Sequence, residues 1–122
     1  MSEQTQPERR KQDPMGDEAA EAALEYLRFQ AKSAGEAKAH VTYLENYVKI
    51  VLARCMREST ARAVSGQEVD ARCHPDYLAT VEALRDAVAK EEEFRWKRIA
   101  AEATLDAWRT KNANRRGEGR MQ

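Results

Sequence analysis

Cysteine is scarce in this 122-residue chain, and the two that occur, Cys55 and Cys73, are too few to form the framework of a disulfide-stabilised domain. Hydrophobic runs are equally short. The longest run that includes a large side chain is residues 50 to 53 (IVLA), whereas a membrane-spanning helix needs about 20 apolar residues in succession. The sequence therefore predicts no transmembrane segment and no membrane partner.

An excess of charge of one sign is also missing, because 21 Lys and Arg residues balance 21 Asp and Glu residues. A protein without net charge has only a local electrostatic footprint, so strong attraction to nucleic acid over the whole surface is not expected. Residues 1 to 16 are charged and contain no apolar stretch. We therefore expect no secretory signal there and a cytoplasmic location.

The sequence contains none of the short motifs that usually indicate catalysis. It has no Gly-rich phosphate loop, no His-Glu-x-x-His, no Cys-x-x-Cys and no Gly-x-Ser-x-Gly. Cys73 and His74 are adjacent, but no further cluster of Cys and His supplies the three or four ligands that a metal site requires. We favour an ordinary turn for this pair, and we predict a protein that is not an enzyme, with no catalytic residues, no cofactor and no metal.

What the chain does contain is charge, at 34% of residues, together with abundant Ala and Glu. This composition is typical of long exposed helices, so the predicted fold class is all-α. Residues 1 to 16 contain proline and glycine without periodicity and are predicted to be a disordered N-terminal arm. Residues 17 to 112 are predicted to form a helical hairpin domain. Residues 113 to 122, with two glycines between charges, are predicted to be a disordered basic tail.

The first helix is predicted to run from Asp17 to about Val64, with Gly35 as its internal weak point. It carries a heptad seam, which we expect to form the core of the hairpin. The seam consists of Leu27, Ala34, Ala37, Val41, Leu44, Val48, Val51 and Cys55.

A second apolar stripe lies beside this seam, and one partner helix cannot cover both. It consists of Tyr26, Phe29, His40, Tyr43, Tyr47 and Ile50. We interpret the stripe either as a homodimer interface, in which two hairpins form a four-helix bundle, or as the binding site for another protein. For His40 we favour a partly buried interface residue over a ligand or a pH switch.

The second helix follows a short connection. Ser65 and Glu68 have capping-box spacing, which predicts a short helical turn through Arg72. Pro75 suits the first position of the next helix, which is predicted to end near Asn112.

The predicted hairpin has a definite register and a definite charge pattern. With Val64 opposite Pro75, the pairing places Val51 opposite Val88 and Cys55 opposite Leu84.

Residues 65 to 93 carry eight acids and three bases, and residues 94 to 122 carry eight bases and three acids. A hairpin would bring this basic half against the acidic start of the first helix, in pairs worth about 0.2 to 1 kcal/mol each.

The basic half contains two tryptophans, Trp96 and Trp108, among its arginines and lysines. Bases interleaved with aromatic side chains are what single-stranded nucleic acid requires for phosphate contact and stacking. The candidate contacts are Arg109, Lys111, Arg115 and Arg116. The alternative, which we favour, is that Trp108 belongs to the core and that the basic tail only confers solubility.

Residues 65 to 116 resemble a group of small bacteriophage-encoded helical accessory proteins, encoded near phage recombination and replication genes and mostly without an assigned activity. The segments that carry the resemblance are the helix start 75 to 78 (PDYL), residues 100 to 102 (AAE), residues 105 to 110 (LDAWRT) and residues 114 to 116 (NRR). The Cys73-His74 pair and the proline-containing N-terminal arm depart from the pattern. The resemblance implies a phage setting, hence the host cell cytoplasm, and an accessory role without catalytic residues.

Three functions follow from these interpretations. The leading hypothesis is a non-enzymatic phage-type accessory protein that binds a phage or host protein in viral DNA metabolism. The second is an inhibitor of a host defence complex. The third is single-stranded DNA binding through the basic C-terminal half.

Overall fold

The fold is known from a computed structural model, which describes Asp13 and residues 15 to 120. These residues form α-helices and no strand, so the predicted all-α class is confirmed. The helices are α1 (Asp17–Phe29), α2 (Ala31–Glu58), α3 (Val64–Arg72) and α4 (Pro75–Arg120). Most of the predicted N-terminal arm lies outside the described residues.

The single first helix predicted for residues 17 to 64 is wrong, because the chain bends at Gln30 between α1 and α2. Gln30 has backbone angles of φ −97° and ψ −3°, and its N–H donates to the carbonyl oxygen of Tyr26 at 3.0 Å. Gly35, the expected weak point, lies inside α2, where an added Cβ would meet nothing within 4 Å. The bend therefore occurs at a residue that carries no glycine or proline signal.

The end of α2 at Glu58, rather than near Val64, is explained by the polar contacts of Ser59. The Ser59 hydroxyl donates to Oδ2 of Asp70 at 2.6 Å and accepts the N–H of Ala61 at 3.1 Å. A serine that bonds nearby backbone and side-chain groups competes with helix continuation. A Cβ at Gly66 would lie 3.1 Å from the Cβ of Ala61, so this connection is tight enough to favour glycine there.

The short helix α3 is present where the sequence predicted a helical turn, but its start differs. Ala63 is the residue before its first turn and makes no side-chain cap, so the predicted capping box of Ser65 and Glu68 is wrong. Glu68 instead accepts two hydrogen bonds from the guanidinium of Arg72, at 2.8 and 3.2 Å. This contact raises the pKa of Arg72.

Helix α4 begins at Pro75 as predicted and continues to Arg120 rather than ending near Asn112, so the prediction of a disordered tail is wrong for residues 113 to 120. Its last turns contain Gly117 and Gly119. Glycine costs about 1 kcal/mol relative to alanine in a helix, but adding residues to an existing helix is much easier than nucleating one. The glycines therefore do not stop the helix where the sequence pattern suggested.

The described residues belong to two compact units. One combines α1 with the part of α4 that starts at Trp96, and the other spans Lys32–Arg95. In the first unit the buried hydrophobic residues are alanines, Ala20, Ala23 and Ala101. Side chains this small permit a close approach of neighbouring backbones.

The core of the second unit is built on the predicted heptad seam of α2. One cluster contains Val41, Leu44 and Ala87, and the other contains Val51, Cys55 and Ala71. The seam prediction is thereby confirmed for the middle of α2. A core role for α3 was not predicted, yet Ala71 of this helix has 0% of its surface exposed.

The predicted register between α2 and α4 differs from the observed contacts. Leu84 packs against the cluster that contains Leu44, not against Cys55, and Val88 is 39% exposed. The cause is the early end of α2. Ala71 of α3 occupies the surface beside Cys55. Each residue of α4 therefore contacts α2 at a position closer to the N-terminus of α2 than in the predicted register, which paired Val64 with Pro75.

Candidate functional site

Four residues of the predicted second stripe lie together on one side of α2, and we call them the aromatic face. They are His40, Tyr43, Tyr47 and Ile50. Their spacings of three and four residues place them in one row along the helix. Tyr43 is 59% exposed and Ile50 is 61% exposed, so this row is open to a partner.

The rings of the aromatic face are stacked on one another. His40 and Tyr43 have centroids 6.4 Å apart at an interplanar angle of 11°, and Tyr43 and Tyr47 have centroids 5.6 Å apart at 10°. These separations are in the range that aromatic pairs prefer. The stacking holds each ring against its neighbour, which lowers the entropy that a partner would have to remove on binding.

Tyr47 connects this row to the core. It packs against the cluster of Val41 and Leu44 and also against the cluster of Val51 and Cys55. The half-buried Tyr47 ring therefore anchors the exposed Tyr43 ring, and through it His40.

The structure does not bring all six predicted interface residues into one element. Tyr26 and Phe29 belong to α1, in the other compact unit, because of the bend at Gln30. Phe29 is 66% exposed. This separation was not predicted.

A second candidate site is an open depression of about 400 Å³ on the C-terminal part of α4, which we call the basic groove. It is lined by Trp108, Arg109, Asn112, Arg115 and Arg116. Three of the four predicted nucleic-acid contacts are among these residues. The fourth, Lys111, instead forms an ion pair with the carboxylate of Asp13.

Polar contacts tie the groove helix to the chain around the start of α1. The indole N–H of Trp108 donates to Oδ1 of Asp17 at 2.8 Å. The Lys111 ammonium lowers the pKa of Asp13, with help from the backbone N–H of Met15, which donates to Oδ1 of Asp13 at 3.0 Å. Asp13, which precedes α1, and Asp17, its first residue, thus contact the C-terminal part of α4, but no ion pair with an acid of α1 itself is among these contacts.

Arg109 is also engaged locally, with Nη1 lying 3.4 Å from Oδ1 of Asp106. Both side chains are largely exposed, at 70% and 75%. An exposed pair of this kind is weak and can be exchanged for another anion at little cost.

The Cys73-His74 pair lies at the end of α3, beside acidic residues. His74 Nδ1 accepts the backbone N–H of Asp76 at 3.1 Å, so Nε2 is the nitrogen that faces Oε2 of Glu58, at 3.2 Å. Nowhere in the described part of the chain do three or more His, Cys, Asp or Glu residues form a group suited to a metal ion. Through its two contacts, His74 joins the end of α2 to the start of α4.

None of the helices in residues 15 to 120 combines the length and the apolar character needed to cross a membrane. No protein-family model, curated protein or solved structure matches the chain.

Proposed function

We propose that this protein is a non-enzymatic binding protein that acts through the aromatic face of α2. The observation that carries the proposal is the stack of His40, Tyr43 and Tyr47, which is exposed at one end and anchored in the core at the other. Aromatic residues are enriched at the centres of protein interfaces, because they bury a large area at a small entropic cost. A rigid helix presents them in a fixed geometry.

For the architecture we propose the antiparallel hairpin, at least within the second compact unit. The order of the contacts supports it. Tyr77, near the start of α4, packs on the cluster of Val51 and Cys55, and Leu84, further along α4, packs on the cluster of Val41 and Leu44.

We further propose that the setting is the cytoplasm of a phage-infected host, where the protein is an accessory factor in viral DNA metabolism. The support is the resemblance of residues 65 to 116 to small phage-encoded helical proteins. Inhibition of a host defence complex is the alternative, since the same kind of surface could bind a defence protein.

The test is affinity capture from infected host cells, with variants of the face compared in parallel. Tyr43→Asp combined with Ile50→Asp should abolish capture of the partner while leaving helicity unchanged, because both side chains are exposed. Thr42→Asp, at an exposed position on the same helix outside the aromatic face, is the control. Retention of replication or recombination proteins supports the leading role, and retention of defence proteins supports the alternative. Capture that is unaffected by the double variant would contradict the proposal.

Single-stranded DNA binding is the second candidate function, and the basic groove is what favours it. Arg109, Arg115 and Arg116 line one depression together with Trp108, which places three cations beside an aromatic ring. Against it stands the hydrogen bond from Trp108 to Asp17, which commits the indole N–H within the protein.

A further inference from the structure

The aromatic face is the middle of a longer row on the same side of α2. Continuing its spacing leads to Glu36 and Lys32 on one side and to Arg54 and Glu58 on the other. From Glu36 to Arg54 the steps alternate strictly between four and three residues, which is the spacing of a coiled-coil seam. All eight positions are exposed except Tyr47, which is half-buried.

If a second copy of this row is placed antiparallel to the first, the residues that face each other are complementary. We consider the register in which the numbers of facing residues add to 90. Lys32 then faces Glu58, Glu36 faces Arg54, His40 faces Ile50, and Tyr43 faces Tyr47. Two opposite-charge pairs thus fall at the ends of the row, and its aromatic rings and Ile50 oppose one another in the middle.

We propose that the occupant of the aromatic face is a second copy of this chain, whose α2 lies antiparallel in this register. This inference rests on the proposed function and specifies it: the aromatic face binds a second copy, and a phage or host protein is captured by the assembled dimer. The two-fold axis would pass between Tyr43 and Tyr47, and each charge pair would occur twice. In an antiparallel coiled coil, heptad position a of one helix faces position d of the other, as it does in this register.

The charges also determine the direction of pairing. In a parallel arrangement Glu36 would face Glu36 of the second copy, and Arg54 would face Arg54. Like charges that oppose each other across a helix interface are destabilising, so the parallel alternative is selected against.

Contacts within the chain leave the charged residues able to make these pairs. Nη2 of Arg54 lies 4.0 Å from Oδ2 of Asp76, with the two side chains 50% and 61% exposed. A guanidinium has five N–H donors, and a carboxylate has two acceptor oxygens. Arg54 and Glu58 can therefore keep their contacts with Asp76 and His74 while pairing with a second copy.

The experiment is sedimentation equilibrium of the full chain at micromolar concentration. The wild-type protein should have twice the 13.9 kDa mass of one chain. Glu36→Arg alone and Arg54→Glu alone should each weaken the dimer by about tenfold or more, because each converts two favourable pairs into two repulsive ones. The double variant Glu36→Arg/Arg54→Glu restores opposite charges across the interface and should recover the dimer.

The matched control is Lys49→Glu, a charge reversal of the same size at an exposed position of α2 outside the row. It should leave the dimer intact, and circular dichroism should show equal helicity for all variants. A wild-type protein that is monomeric, or a double variant no tighter than the single ones, would overturn the proposal.

Together, the sedimentation and capture experiments distinguish failure of the dimer from failure of the proposed function. A monomeric wild-type protein that loses its captured partner through Tyr43→Asp and Ile50→Asp would refute the dimer and leave the binding role standing. A dimer that follows the charge pattern, with capture unaffected by the same two substitutions, would support the dimer and refute the binding role of the face.

Discussion

The indole nitrogen of Trp108 donates a hydrogen bond to Oδ1 of Asp17 across 2.8 Å, which joins residues 91 positions apart in the chain. Asp17 is the first residue of α1, and Trp108 lies in the C-terminal part of α4. A side chain that bonds so far along the chain contributes to folding, which is why we assign Trp108 a structural role.

Replacing Trp108 with Phe keeps an aromatic ring but removes the N–H donor. We expect a loss of about 1 kcal/mol in the free energy of unfolding, since a hydrogen bond to a charged acceptor is stronger than a neutral one, while solvent exposure weakens it. A double-mutant cycle with Asp17→Ala, measured by urea denaturation, isolates the interaction from other effects of each substitution. Additive effects of the two substitutions would show that the contact contributes nothing.

The carboxylate of Asp13 should titrate below the ordinary range of an aspartate, because Lys111 lowers its pKa. The unfolded pKa is about 3.9, so the contribution of this contact to stability is complete above that pH and is lost as pH falls through the lower folded pKa. Lys111→Gln should raise the pKa of Asp13, as measured by NMR titration of its carboxyl carbon. Arg115→Gln is the control and should change it less, since Arg115 acts only through its charge.

Two leucines allow the same substitution to be compared at a buried and an exposed position. Leu44 is 6% exposed in a core cluster, and Leu78 is 53% exposed on α4. Leu44→Ala should cost about 2 to 5 kcal/mol in the free energy of unfolding, whereas Leu78→Ala should cost less than about 0.5 kcal/mol. Equal losses would mean that the core of the second unit is misassigned.

Single-stranded DNA binding at the basic groove would have a specific salt dependence. Each phosphate contact contributes about 0.7 to the slope of log affinity against log salt, so the double variant Arg115→Gln/Arg116→Gln should reduce the slope by about 1.4. Arg57→Gln/Arg62→Gln removes the same charge from the other compact unit and should leave the slope unchanged. From its bond to Asp17 we expect Trp108→Ala to lower folding stability rather than DNA affinity. A folded Trp108→Ala variant that no longer binds DNA would favour the DNA-binding function.

The heptad seam was predictable because burial in a helix follows a simple period, and Val41, Leu44, Val51 and Cys55 are buried at positions of that period. The bend at Gln30 was not predictable, because no proline or glycine stands there.

Other differences arise from contacts between residues that are distant in sequence. The end of α2 depends on Ser59 bonding to Asp70, a partner in the next helix. The candidate site was also predictable only where it depends on spacing within one helix. The row of rings on α2 follows from spacing, whereas the engagement of Lys111 by Asp13 depends on how the chain folds back on itself.

Because Cys55 is buried, the rate at which its thiol is chemically modified can be used to measure local opening of the second compact unit. Cys55 is 2% exposed, whereas Cys73 is exposed. A thiol reagent that modifies Cys73 at once can reach Cys55 only when the helices around it separate. The rate of that slow second reaction, in native buffer and without denaturant, therefore reports local opening of the helices beside α3.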